Sequence, residues 1–98
     1  MNLGELEIDL ENDPQAALLV GLMRAGAADG AYPLGTQVMK INSMPGDRQK
    51  DGTLGVITGN LKTPKDILKE GMPPYAYLVL WEGTEADTFL GSRKVIKL

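Results

Sequence analysis

The chain has no cysteine and no histidine among its 98 residues. Without cysteine there is no disulfide, no thiolate nucleophile and no thiolate-bound metal. Without histidine the commonest general base and the commonest transition-metal ligand are both gone. Ser43 and Ser92 therefore lack the partner that usually activates a hydroxyl. Long apolar runs are missing too, and none approaches the ~20 residues that cross a bilayer. The opening Met1-Asn2-Leu3-Gly4-Glu5 is acidic where a signal peptide is basic. No phosphate-binding loop is present, because Gly52-Thr53-Leu54-Gly55 is followed by neither lysine nor helix. These absences point to a non-enzymatic cytoplasmic protein with no cofactor, no metal site and no membrane partner.

What is present is ordinary in amount and uneven in placement. The length fits one domain. Net charge is −3. From Met1 to Ala31 there are six acids and one base, a net of −5; from Tyr32 to Leu98 there are seven acids and nine bases, a net of +2. That mild surplus falls short of the clustered charge of a nucleic-acid-binding domain.

The richest stretch is Tyr75-Ala76-Tyr77-Leu78-Val79-Leu80-Trp81-Glu82, which holds two of the three tyrosines and the single tryptophan. Aromatic and β-branched residues suit a strand, and Pro73-Pro74 and Gly83 bound this one. Side chains alternate along a strand, so both faces of this one are apolar. Tyr77, Val79 and Trp81 are expected to face a sheet core. Leu78 and Leu80 then need a second cover, which the N-terminal third of the chain is placed to supply.

In residues 3–11, Leu6, Ile8 and Leu10 alternate with Glu5, Glu7, Asp9 and Glu11, the pattern of a half-buried strand. Its acidic face is that of a solvated edge, or of a surface for a basic partner. Residues 13–26 predict a helix. Asp13 caps it, Pro14 fits its first position, Arg24 meets its negative end and Gly26 stops it. The helix is apolar nearly all round, which implies burial on more than one side. It either closes over its own sheet or meets another subunit. In the second case Leu18, Leu19, Leu22 and Met23 form the contact. Residues 26–35 read as a turn-rich connection.

Strands are expected over 36–42, with Val38 and Ile41 inward at an imperfect spacing that allows a bulge, and over 53–59. Gly55 in the second marks a bulge, a bend or a close backbone approach. A polar loop over 43–52 joins them. Thr63, Pro64, Asp66 and Gly71 frame a short helix over 63–71, with Ile67 and Leu68 as its anchors. A short strand over 88–90, one 3₁₀ turn and a strand over 95–98 complete the chain.

From Leu34 onward this order resembles an SH3-like small barrel of the broad Tudor, KOW and agenet type. The residues that carry the resemblance are Gly35-Thr36-Gln37-Val38, Gly52-Thr53-Leu54-Gly55-Val56-Ile57, Tyr77-Leu78-Val79-Leu80-Trp81-Glu82 and Val95-Ile96-Lys97-Leu98. The likeness lies in the order of elements over residues 34–98 and implies a barrel of about five strands. Such barrels bind peptides, modified side chains or nucleic acid, or serve as scaffold. The sequence departs from them in its apolar N-terminal helix and its long 63–71 insertion, and no aromatic cage is visible. The expected organisation is a strand–helix extension over 1–31 packed on a barrel over 32–98, within one compact domain.

Three functions fit. The first is a protein–protein interaction or assembly module, a homo-oligomer included, that uses Leu18, Leu19, Leu22 and Met23. The second is a nucleic-acid accessory module that uses the 44–52 loop through Arg48 and Lys50, with Lys62, and with Tyr75 or Trp81 as stacking surfaces. The third is a structural subunit of a larger assembly. Glu82, Glu85 and Asp87 could pair as carboxylates or hold a divalent cation, but acids are ordinary in a turn that follows a strand.

Overall fold

A computed structural model of the chain describes residues 14–66 and 68–98, with side chains described from residue 17 on. The expected strand over 3–11, the Asp13 cap and the Ile67 anchor lie outside the described residues.

Of the Tyr75–Glu82 run, Tyr75–Trp81 forms a strand one place from the middle of the sheet, and the described residues build one antiparallel sheet of five strands. The elements are α1 (Pro14–Arg24), β1 (Gln37–Lys40), β2 (Leu54–Lys62), β3 (Tyr75–Trp81), β4 (Thr88–Gly91), a single 3₁₀ turn (Ser92–Lys94) and β5 (Val95–Lys97). The sheet order is β4-β3-β2-β1-β5. The expectation of a mainly β domain with a short helix therefore holds at that level.

Among the described residues the sheet is open: β4 and β5 are its two edges and do not pair. It is also curled. Gly91 ends β4 and Val95 begins β5, so their Cα atoms lie at most ~14 Å apart. The edges of a flat five-stranded sheet lie ~19 Å apart. The sheet must bend to bring them together.

The alternation expected along β3 is observed. Tyr77, Val79 and Trp81 point into a core with Val38, Ile57, Leu90 and Val95. Ala76 and Leu78 point the other way and are covered by Val20 and Met23 of α1, with Phe89 beside them. The cover stops there. Leu80 lies on the same face as Leu78 but is only half-buried, so α1 shields one of the two leucines expected beneath it.

Gly55 is a close approach rather than a bulge. A Cβ there would stand 2.7 Å from the Trp81 ring, 2.8 Å from Val79 and 2.9 Å from the Leu80 carbonyl oxygen. The irregularity falls two residues on, where the β2–β3 register shifts between Ile57 and Gly59. β2 also runs three residues past its expected end, to Lys62. β1 is regular; its apolar pattern looks imperfect because Lys40 holds an inward position and is 2% exposed.

The helix expected over 63–71 is not formed by the described residues there. One helical-type bond joins the Leu68 N–H to Pro64 O, and a turn joins the Met72 N–H to Lys69 O, with Gly71 at φ +86°. Leu68, expected to anchor it, stays 40% exposed, and a short helix gains its stability from burying such a residue.

The 26–35 connection is pinned to the sheet. The Asn60 side chain accepts the Ala28 N–H at 3.1 Å and donates to Tyr32 O at 3.0 Å. The Tyr77 hydroxyl accepts the Tyr32 N–H at 3.0 Å, and the two tyrosine rings stack with centroids 5.4 Å apart.

Candidate functional site

α1 divides into two faces. Its described residues alternate as 3.6-residue geometry requires. Val20 and Met23 are buried against the sheet, and Leu19 is partly buried beside them. Leu18 and Leu22 lie one turn apart on the opposite face and are 77% and 61% exposed. Of the four expected contact residues, the fold thus turns Leu18 and Leu22 outward, while Met23 is 0% exposed and holds α1 to its own sheet. Gly21 and Ala25 are also exposed, so the outer face is shallow and apolar. α1 contains no acid, and its one charge is Arg24. Arg24 bonds Asp87 of the β3–β4 turn at 2.8 Å. Gly26, at φ +69°, ends α1 by bonding Met23 O.

Beside α1, on the same side of the sheet, lies a groove of about 390 Å³. Alternation places Gln37, Val56 and Leu80 in one cross-strand row, because Gln37 pairs with Val56 and Val56 with Leu80. Leu54 and Leu98 extend the apolar floor, and Glu82 and Thr84 stand at the margin. Met39 and Ile96 form the adjoining pair across β1 and β5. Leu54, Ile96 and Leu98 are exposed. The sequence carries a signal for this surface: Leu54-x-Val56 and Ile96-x-Leu98 repeat apolar residues at the positions that alternate away from Val38 and Val95. Without the register, nothing ties those short pairs into one patch.

The 43–52 loop is organised from within by charge. Asp47 Oδ2 accepts from Lys40 Nζ and Lys94 Nζ, each at 3.0 Å, and from the Met44 N–H at 3.1 Å. Lys94 Nζ also donates to Asn42 O at 2.9 Å. Burial alone would raise the Asp47 carboxyl, but the Met44 N–H and the two ammonium groups outweigh it and hold the group at about 2. Lys40 gives its other donors to Ile41 O at 3.2 Å and Ser43 Oγ at 2.9 Å. The Ser43 N–H in turn bonds Asp51, whose carboxyl is lowered by that bond. Asn42, at φ +55°, donates to Arg93 O, and Arg93 donates to Gly71 O and Met72 O. The 3₁₀ turn thereby ties two loops together.

The cations expected for nucleic acid are not gathered. Arg48 and Lys50 sit in that loop, while Lys62 stands at the opposite end of β2. Trp81 is 1% exposed and offers no ring face to a base. Asp87 is held by Arg24, and the described residues include no group of three acidic side chains placed to hold a metal ion. No helix among them is long and apolar enough to cross a membrane. The chain matches no protein-family model, no curated protein sequence and no solved structure.

Proposed function

We propose that the chain is a non-enzymatic assembly module: an SH3-like small barrel that self-associates through the outer face of its N-terminal helix. The observation that carries this reading is the placement of Leu18 and Leu22, 77% and 61% exposed on a helix whose inner face already has its cover. Two leucines one turn apart on an acid-free face are disfavoured in water and suited to a partner. The curl of the sheet, with a single 3₁₀ turn joining its two edges, supports the barrel reading.

Light scattering on the full chain and on Leu22→Glu tests the proposal. A wild-type dimer or larger species, reduced to monomer by the substitution, supports it. A wild-type chain that stays monomeric across the accessible concentration range overturns it. A ring or larger assembly, in place of a dimer, would make the chain a structural subunit on the same surface.

A further inference from the structure

The open groove and the exposed helix face lie side by side on one side of one sheet, and each lacks what the other has. Resting on the assembly reading above, we infer that two copies associate about a two-fold axis, with α1 of each lying across the open sheet half of the other.

The first support is position. α1 covers Ala76 and Leu78, and the groove begins at Leu80, the next residue on that face of β3. A helix surface and a groove that adjoin in this way make both contacts through one rotation, as a closed isologous pair requires.

The second is size. The open half crosses β5, β1, β2 and the end of β3, three strand spacings or ~14 Å. An eleven-residue helix is ~16 Å long and ~10 Å across. It fits across those strands.

The third is charge. Among the described residues, the charged one lining the groove is Glu82. α1 has no acid to be repelled by it, and its one charge, Arg24, is already bonded to Asp87 of its own chain.

The fourth is area. One short helix in one groove covers far less than the ~800 Å² per partner of a stable interface. A foreign helix would make that contact once and leave Leu18 and Leu22 in water. A second copy makes it twice and covers them.

The absence of cysteine makes the test direct, since any introduced thiol is the only one present. Leu22→Cys and Leu54→Cys are prepared as separate full-length proteins, checked for native circular dichroism, mixed and oxidised. A covalent heterodimer from the mixture, with no Leu22→Cys homodimer, is the expected result. Leu22→Cys linking to itself and not to Leu54→Cys would mean helix against helix; that overturns the groove placement and leaves the assembly reading standing. By light scattering, Leu22→Glu and Leu54→Lys should each weaken self-association at least ~30-fold. Mixing the two should restore heterodimers, because one of the two contacts is then wild type and the other pairs opposite charges. A Leu54→Lys protein as dimeric as wild type, beside a monomeric Leu22→Glu, overturns this inference alone. A monomeric wild type overturns both.

Discussion

Lys40 breaks the apolar alternation of β1, and it does so from inside the protein. Its ammonium and that of Lys94 share the Asp47 carboxylate, and all three side chains are largely out of water. A buried pair that loses one partner costs more than the pair was worth. Asp47→Ala, which strips that carboxylate from two buried lysines, should destabilise by about 3–5 kcal/mol in urea unfolding. Lys40→Met leaves Asp47 bonded to Lys94 and should cost less than about 1 kcal/mol. The sign of the pH effect follows from a folded-state value of about 2 against an ordinary 3.8. A depressed carboxyl contributes its full stability above the ordinary value and loses it as pH falls toward the folded one. The unfolding free energy should therefore drop between pH 4 and pH 2, by on the order of 1–2 kcal/mol after solvent screening, read in urea titrations across that range. Asp47→Ala should flatten most of that slope. The charged core was written in the sequence as Val38-x-Lys40 and was hard to read there. A lysine in an alternating run looks like an outward residue until its partner, seven positions on across a loop, is known.

Among the elements, α1 was the most legible and its two faces the least. Pro14, Arg24 and Gly26 mark its bounds through local chemistry, which a sequence displays directly. Which leucine turns inward depends on the rotation at which the helix meets Gly59, where a Cβ would come within 2.8 Å of Leu78 and 3.0 Å of Met23. That is a tertiary fact. The rotation is testable by truncation. Met23→Ala removes a fully buried side chain and should cost about 2–5 kcal/mol. Leu22→Ala, on the exposed face, should change monomer stability by less than about 0.5 kcal/mol. Chemical denaturation at concentrations below self-association compares the two. The stretch over 63–71 teaches the converse. Its capping residues are right for a helix, yet caps do not substitute for an apolar face to dock.

At the scale of the whole molecule, five strands were readable because each carries its own alternation and turn residues. The register was not, since hydrogen-bond partners lie far apart in the chain. The groove exists only through that register, so the surface most relevant to assembly is also the one a linear reading fails to assemble. The same distance has a kinetic side. Val38 pairs with Lys97, and Lys40 with Val95, so the first and last strands of the sheet meet only after the chain has closed a loop that encloses the other three. Such non-local closure is slow to find, and proteins dominated by it refold in milliseconds to seconds. Trp81, the single tryptophan, sits in the core they complete and reports its formation. Val95→Ala should slow refolding seen by Trp81 fluorescence if β1–β5 docking belongs to the transition state, and should only hasten unfolding if docking comes last. Until that closure, the inward side of β1 presents a lysine and a valine to water, a nascent edge that is both charged and sticky.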